Sequence, residues 1–119
     1  MAWEVEYTDE FGEWFAALDG EISEEVASVV DFLEERGPHL PFPLSSSVES
    51  SRYSHMRELR IQYAGRPLRV LYAFDPRRMA ILLLGGDKTG DDRWYKVHVP
   101  IADRIYAEHL EILREEGLI

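Results

Sequence analysis

The amino-acid sequence predicts an α+β domain in which helices pack on one face of a mainly antiparallel sheet, in the order β-α-α-β-β-β-α. Three observations predict this class. Apolar residues recur at helical spacing in the first third of the chain, they follow strand patterns from residue 56, and helical spacing returns after residue 100. Short turns between the successive strands favour an antiparallel meander.

The chain opens with a short strand followed by a helix. Residues 3–7 alternate apolar and acidic side chains, which is typical of a strand with one buried face. Thr8 or Asp9 is a suitable cap for the helix that follows. The apolar stripe of this helix consists of Phe11, Trp14, Phe15 and Leu18. Their spacing of three and four residues predicts core positions.

A second helix follows the turn at Asp19-Gly20. Ser23 is its expected cap, and Gly37-Pro38 is expected to end it. Its stripe is formed by Val26, Val29, Val30 and Leu33. We expect the two helices to form a hairpin with acidic outer faces. The apolar residues of segment 39–54 recur with neither helical nor strand periodicity, so this segment is expected to form a functional loop or a packed surface connection.

Three strands are predicted in the middle of the chain. Residues 56–63 alternate, and residues 68–74 and 79–84 are largely apolar. Turn sequences of four residues separate these segments, and Gly85-Gly86 is expected to end the third strand. The nearly all-apolar composition of that strand is typical of a central position in a sheet.

The C-terminal part is predicted to be a polar segment and then a helix. Residues 87–95 are polar, and residues 97–99 are expected to form a short extended piece. Pro100 suits the first turn of a helix, and Gly117 is expected to end it. The stripe of this helix consists of Ile101, Ile105, Leu110 and Leu113.

Length and composition favour one domain spanning residues 1–119. The 119 residues are 45% hydrophobic and 30% charged, which argues against disorder. The absence of cysteine excludes a disulfide framework, a thiolate metal site and a cysteine nucleophile. Without a signal-like N-terminus or a long apolar run, we expect a cytoplasmic protein that does not insert into membranes.

The net charge of −10 is unevenly distributed along the chain. Residues 1–51 carry 13 acids and one base, residues 52–96 carry five acids and ten bases, and residues 97–119 carry five acids and two bases. An acidic average argues against a nucleic-acid partner, because phosphate binding requires a basic surface. The concentration of ten of the 13 cations in the strand region removes that objection.

Several familiar sites are absent from the sequence. The segment 85–90 contains Lys88-Thr89 but lacks the upstream glycine of a phosphate-binding loop. The four histidines show no metal-ligand spacing. We therefore expect neither a metal nor a cofactor.

The strand arginines are the candidate chemical groups. Arg57 and Arg60 are three residues apart, so a regular strand places them on opposite faces, and one of them is expected to pair with an acid. Arg69 lies on the next strand and Lys88 follows the third. Arginine can bind phosphate in a bidentate manner. Since the 2′-hydroxyl of RNA is an internal nucleophile, such a site needs only charge and proton transfer.

The candidates for proton transfer are His55, His98, Tyr95 and Lys88, and Trp94 with Tyr95 can stack on bases. We expect further RNA contacts from Arg57, Arg66, Arg93 and Lys96. Each has an alternative interpretation. Strand arginines are commonly solvated or ion-paired, the two aromatics are commonly core residues, and a histidine without a partner is commonly an ordinary strand residue.

Taken in order, these segments resemble the RelE/ParE superfamily of toxins from bacterial type II toxin–antitoxin systems, especially its HigB-like, phage-derived branch. The similar segments are WEVEYTDEFGEWFAAL at the start, HMRELRIQYAGRPLRVLYAFDP in the strands and MAILLLGGDKTGDDRWY after them. The ending VPIAD with YAEHL is similar as well. The resemblance covers nearly the whole chain and rests on the order and spacing of these segments.

The resemblance implies a RelE-like fold and a ribosome-dependent mRNA endonuclease that cuts by attack of the RNA 2′-hydroxyl. It also implies neutralisation by a cognate helix-turn-helix antitoxin. By position it assigns catalysis to Arg60, Arg69 and Lys88, with His55 and His98 as looser matches. The acidic overall charge and the single lysine in Asp87-Lys88-Thr89 depart from the family pattern.

Two other functions are compatible with the same residues. One is a non-catalytic interaction protein, either a ParE-like gyrase inhibitor or a decayed toxin that only binds its antitoxin. The other is a phage-borne regulator that binds a basic host protein through the acidic helices.

Overall fold

The computed structural model describes residues 2–119, which form one five-stranded sheet and three α-helices. The strands are β1 (Val5–Tyr7), β2 (Ser45–Ser47), β3 (Arg57–Tyr63), β4 (Arg66–Phe74) and β5 (Ala80–Asp87). The helices are α1 (Asp9–Ala16), α2 (Gly20–Arg36) and α3 (Trp94–Glu115), and a 3-10 turn spans Gly37–His39. The sheet order is β1-β5-β4-β3-β2, with β1 parallel to β5 and the other pairs antiparallel. The predicted α+β class is confirmed.

Helices cover both faces of the sheet, whereas the sequence analysis placed them on one. α1 and α2 pack on the face that carries Leu59, Val70 and Leu82, and α3 packs on the face that carries Leu71 and Leu83. Most residues of β4 and β5 are buried on both sides. A sheet whose central strands are apolar on both faces must be covered twice, which explains the difference.

The sequence analysis missed the edge strand β2. Its three serines show no apolar alternation, but Ser45 pairs with Leu59 and Ser47 with Arg57 across an antiparallel ladder. Ser45 is buried, and its Oγ lies 2.6 Å from the Tyr72 hydroxyl. Hydrogen bonds to neighbouring strands, rather than hydrophobic burial, define this element.

The helix caps agree with the predictions in part. Thr8 caps α1, because its Oγ1 accepts a hydrogen bond from the Phe11 N–H at 3.1 Å. Asp19, not Ser23, caps α2: its Oδ1 accepts from the Ile22 N–H at 3.2 Å. The Ser23 hydroxyl donates to the Gly20 carbonyl inside the helix. An acidic cap also interacts favourably with the helix dipole, which a serine does not.

β5 continues through the two glycines that were expected to end it. A Cβ at Gly85 would lie 2.3 Å from the Trp14 ring, and one at Gly86 would lie 2.6 Å from Nε1 of Trp94. The two glycines therefore permit an indole to pack directly on the backbone on each face of the sheet. Their role is close approach rather than strand termination.

α3 begins earlier than expected, at Trp94. Residues 97–99 are helical, and Pro100 lies in the second turn rather than the first. The helix ends as predicted near Gly117, whose φ of 72° and N–H bond to the Arg114 carbonyl terminate it. Within residues 2–119, no helix is long and apolar enough to cross a membrane.

Candidate active site

A buried carboxylate lies among the basic residues of the sheet. Glu58 is 4% exposed and lies on the face of β3 that α3 covers. Its Oε1 accepts a hydrogen bond from the Tyr95 hydroxyl at 2.6 Å and lies 3.5 Å from Nε of Arg69. Its Oε2 accepts from the hydroxyl of Ser46 at 2.6 Å and from Nη1 of Arg60 at 3.3 Å. We call Glu58, Arg60, Arg69, Lys88 and Tyr95 the Glu58 cluster.

Four secondary-structure elements position the Glu58 cluster. Arg60 on β3 and Arg69 on β4 are direct cross-strand partners, so their side chains lie side by side on one face. Lys88 follows β5, and its N–H donates to the Pro67 carbonyl at 3.0 Å, which fixes it beside the start of β4. Tyr95 comes from the first turn of α3. The strand pairing therefore assembles three of the five predicted catalytic residues, Arg60, Arg69 and Lys88.

Arg69 is buried in this cluster and is held by hydrogen bonds from two of its nitrogens. It is 5% exposed, its Nε donates to the Tyr95 hydroxyl at 3.2 Å, and its Nη1 donates to the Leu68 carbonyl at 3.0 Å. Its charge is neutralised by Glu58. A buried ion pair of this kind positions its neighbours more than it binds solvent-borne ligands.

Arg60 and Lys88 provide the accessible positive charge of the cluster. The Arg60 side chain is 31% exposed, and its guanidinium lies 5.1 Å from the centre of the Phe42 ring. The Nζ of Lys88, which is half-buried, lies 5.7 Å from the centre of the Tyr95 ring. Arg60 and Arg69 contact the single carboxylate of Glu58, and Lys88 lies against Tyr95, so the cations outnumber the acid and the cluster attracts anions.

Tyr95 is held in its protonated form. Burial raises the pKa of the Tyr95 hydroxyl, and its hydrogen bond to Glu58 raises it further, although Arg69 opposes the shift. At neutral pH the phenol is therefore a donor that holds the Glu58 carboxylate in place. The bond ties the first turn of α3 to β3.

His98 lies one turn further along α3. Its ring stacks on Trp94 with 4.4 Å between centroids and 16° between planes, and its Nδ1 lies 2.8 Å from the Trp94 carbonyl oxygen. A carbonyl only accepts, so Nδ1 carries the proton, and Nε2 of the neutral ring has a free lone pair. The i to i+3 spacing places His98 next to Tyr95 on the helix surface.

Trp94 is a core residue, which corrects its expected role in RNA binding. It is 2% exposed and packs between Gly86 and His98. No face of the indole is open to a base. Tyr95, the other aromatic of the pair, is half-buried at the cluster.

The remaining predicted RNA-binding residues flank the cluster to different degrees. Arg66 pairs with Asp87 at 2.8 Å. Burial raises the pKa of the Asp87 carboxyl, but hydrogen bonds from Thr89 and from Arg66 outweigh burial and hold it below its usual value. Arg93 and Lys96, at the beginning of α3, are exposed.

His55 and Arg57 are not part of the Glu58 cluster. Arg57 lies on the opposite face from Arg60, as predicted, and its Nε donates to Ser45 Oγ at 3.0 Å. His55 lies at the other end of the β3–β4 pair, where its Nε2 is 2.9 Å from the Tyr106 hydroxyl. Both line a separate cavity of about 390 Å³ beside Trp3.

Asp75 forms a second buried charge network at that end of the sheet. Its Oδ2 lies 2.8 Å from Nη2 of Arg77 and 2.9 Å from Nε2 of His109. Burial raises the pKa of the Asp75 carboxyl, but hydrogen bonds from Arg77 and His109 outweigh burial and lower it below its ordinary value. Burial raises the pKa of the nearby Tyr106 hydroxyl to about 12, with a further contribution from the Asp75 charge.

We expect the protein to lose stability on acidification because of Asp75. A carboxyl whose pKa is lowered by folding stabilises the folded state above its unfolded pKa of about 4, and that stabilisation disappears as the pH falls through the folded value. Urea unfolding between pH 2 and pH 7 measures the change in the free energy of unfolding with pH. Asp75→Asn should reduce this pH dependence, while Asp92→Asn, at an exposed site, should not. Equal slopes for the two variants would contradict the assignment.

The sequence analysis did not name Glu58 or Ser46 as site residues. A signal for Glu58 was present, because an acid between strand arginines on a face that becomes buried requires cationic partners. No signal identified Ser46, since its contact depends on the unpredicted strand β2.

Most of this chain is similar in sequence to known proteins. Residues 13–107 match the family described as "Phage derived protein Gp49-like (DUF891)". The chain is 48% identical over 92 residues to "Putative toxin HigB3" of Mycobacterium tuberculosis, covering 76% of this chain and 79% of that protein. It is 44% identical over 99 residues to "Putative toxin HigB2" of the same organism, covering 82% of this chain and 49% of that protein.

Two solved structures share the fold at low sequence identity. A mutant of E. coli toxin RelE in the free state superposes with a TM-score of 0.56 at 10% identity, covering 79% of this chain and 92% of that one. The toxin–antitoxin complex RelBE2 from Mycobacterium tuberculosis contains a chain with a TM-score of 0.52 at 17% identity, covering 73% of this chain and 99% of that one.

The sheet order and the helices on its two faces form a RelE-like α+β fold. The chain belongs to the Gp49-like family and to the HigB-like branch of toxins.

Proposed function

We propose that this protein is a single-domain, cytoplasmic toxin that cuts mRNA on the ribosome, and that the Glu58 cluster with His98 forms its active site. The observation that carries the proposal is the contact of Arg60 and Arg69 with one buried carboxylate, Glu58, and the position of Lys88 against Tyr95 at the N-terminal end of α3. Cleavage of a phosphodiester needs charge neutralisation and proton transfer, and this surface offers both.

In the proposed reaction, the RNA supplies its own nucleophile. The 2′-oxygen loses its proton and attacks the adjacent phosphorus, the bond from phosphorus to the 5′-oxygen breaks, and the 5′-oxygen gains a proton. The products are a 2′,3′-cyclic phosphate and a 5′-hydroxyl. Negative charge grows on the non-bridging oxygens during this step, where nearby cations lower its energy.

The side chains divide this work according to their exposure. Arg60 and Lys88 are open to solvent and contact the phosphate. Glu58 accepts hydrogen bonds from three donors and forms an ion pair with Arg69, so it positions the cations instead of accepting a proton from RNA. Nε2 of His98 accepts the proton of the 2′-hydroxyl, because the Trp94 carbonyl holds the ring in the tautomer that leaves this nitrogen free.

The partners proposed for this chain are the ribosome with its mRNA and a helix-turn-helix antitoxin. The names of the two mycobacterial relatives describe toxins, and the RelBE2 structure is titled a toxin–antitoxin complex. These names and the family membership support an antitoxin partner, and the basic cluster supports an RNA partner.

We expect expression of the wild-type chain alone to arrest growth and to produce ribosome-phased cuts in mRNA. Primer extension on a reporter transcript measures both the position and the rate of cutting. Arg60→Ala and Lys88→Ala should each lower the rate by about 100-fold, since each removes one cation from the transition state. His98→Ala should lower it by about 100-fold or more.

Arg104→Ala is a matched control, because Arg104 is an exposed arginine on α3 with only a weak 4.0 Å contact to Glu108. It should cut like the wild type. Growth arrest without any cuts would refute the endonuclease and favour a non-catalytic toxin. Cutting that is unaffected by Arg60→Ala, Lys88→Ala and His98→Ala would place the active site elsewhere.

A further inference from the structure

The cavity beside Trp3 lies at the end of the sheet where β3 begins and β4 ends, and none of its lining residues belongs to the Glu58 cluster. We call it the Trp3 cavity. Its volume of about 390 Å³ falls within the range of roughly 300–1,000 Å³ that is usual for small-molecule sites. Trp3 and Phe74 form its aromatic part, and their rings meet edge to face with 5.8 Å between centroids.

The Trp3 cavity has an excess of positive charge. Arg57 and Arg78 line it, and in the part of the chain that the structure describes neither has a carboxylate oxygen within 4.0 Å. The acid that lines the cavity is Asp75, whose side chain is 0% exposed and whose charge is neutralised by Arg77 at 2.8 Å. The two unpaired guanidinium groups therefore favour an anionic ligand.

Uncharged polar groups complete the lining. The Tyr106 hydroxyl donates its only proton to the Phe74 carbonyl, so Nε2 of His55 donates to the Tyr106 oxygen. In the neutral ring Nδ1 of His55 is then an acceptor, which suits a hydroxyl group of a ligand. The hydroxyls of Ser47 and Ser54 also line the cavity and are able to donate to an anion.

Arg78 has a backbone conformation that usually belongs to glycine. Its φ is 67°, and it is the last residue of a three-residue hairpin loop, in which the Asp75 N–H donates to the Met79 carbonyl at 2.9 Å. Loops of this type normally place glycine at the left-handed position, because a side chain there costs free energy. An arginine at this position indicates a use for its side chain that outweighs the strain.

We propose that the Trp3 cavity binds a nucleotide. Its phosphate lies between Arg57 and Arg78, since guanidinium groups bind phosphate through paired N–H bonds. Its base packs against Trp3 and Phe74, and its ribose donates a hydrogen bond to His55. The nucleotide is either free or the end of an RNA strand, since both have this chemistry. The inference does not depend on whether the Glu58 cluster cuts RNA.

The test titrates AMP into the purified full-length chain. Calorimetry measures the affinity, and the NMR signal of the Trp3 indole N–H reports whether AMP binds in the cavity. Inorganic phosphate and adenosine each carry one part of the ligand and should bind at least about tenfold more weakly than AMP. Arg57→Gln should weaken AMP binding at least about tenfold, whereas Arg104→Gln/Arg114→Gln, at exposed positions on α3, should not.

Arg78→Gly separates ligand binding from folding. Glycine adopts a positive φ without strain, so this variant should be at least as stable in urea as the wild type. It should nevertheless weaken AMP binding at least about tenfold, because it removes a phosphate contact. Ala64→Gly is the matched control, since Ala64 is exposed, has a φ of 50° and lies in the β3–β4 turn away from the cavity. Its AMP affinity should equal that of the wild type.

Further arms identify the source of the nucleotide and separate this site from the proposed active site. A trinucleotide RNA that binds more tightly than AMP, and loses affinity in Arg78→Gly, would identify an RNA strand, and tighter binding of AMP would identify a free nucleotide. Arg60→Ala/Lys88→Ala alters the Glu58 cluster and should leave AMP affinity unchanged. No AMP binding up to about 10 mM would overturn the proposal. An unshifted Trp3 signal, or equal weakening by Ala64→Gly and Arg78→Gly, would overturn it as well.

Discussion

Gly86→Ala is expected to lower the free energy of unfolding by about 3 kcal/mol, because overpacking a buried site costs roughly 1–3 kcal/mol and this site has no free space. The new methyl group would lie 2.6 Å from Nε1 of Trp94 and 2.7 Å from its Cζ2. Trp94 is 2% exposed and cannot move aside. Equilibrium denaturation in urea measures the loss.

The same change should also damage the Glu58 cluster. Trp94 precedes Tyr95, so a displaced indole moves the phenol that donates to Glu58. Replacing the Trp94 indole by the smaller leucine side chain should restore space for the new methyl group. The double variant Gly86→Ala/Trp94→Leu should therefore lose less free energy of unfolding than the sum of the losses of the two single variants. Gly20→Ala serves as a control, because a Cβ there meets no atom within 4 Å. Additive losses in the double variant would show that the Gly86–Trp94 contact does not limit packing.

Glu58→Ala is expected to cost about 3–5 kcal/mol of stability, the range for breaking a buried ion pair and leaving one charge without its partner. Arg69 would remain buried at 5% exposure with its main counter-charge removed. The Tyr95 and Ser46 hydroxyls would also lose their acceptor. Urea unfolding at pH 7 gives the difference from the wild type.

A second variant separates the ion pair from simple loss of packing. Glu58→Leu/Arg69→Met removes both charges while keeping similar volume, and it should be more stable than Glu58→Ala. Glu111→Ala breaks an exposed pair with Arg114 at 3.2 Å and should change stability by less than about 1 kcal/mol. If Glu58→Ala lowered the free energy of unfolding by no more than Glu111→Ala does, buried Arg69 would not require Glu58 as its counter-charge.

Local sequence patterns were sufficient to predict most elements and their order. The stripe of Phe11 and Phe15 identified α1, and alternation along β3 placed Arg57 and Arg60 on opposite faces, as the contacts confirm. These features depend on the period of a helix or a strand, which neighbouring residues determine. The candidates Arg60, Arg69 and Lys88 were assigned by the resemblance to a known family; Arg60 and Arg69 lie side by side, and Lys88 lies against Tyr95 in the same cluster.

What the sequence alone determined, then, was the class of fold, the order of its long elements and the clustering of cations in the strand region. Only the tertiary structure decided which residues meet. It placed α3 on the second face of the sheet, added β2 through backbone pairing, and brought Glu58 to Tyr95 across 37 positions of sequence. The physical reason is that periodicity records which face of an element is buried, whereas the partner on that face is set by packing and hydrogen bonds between distant segments.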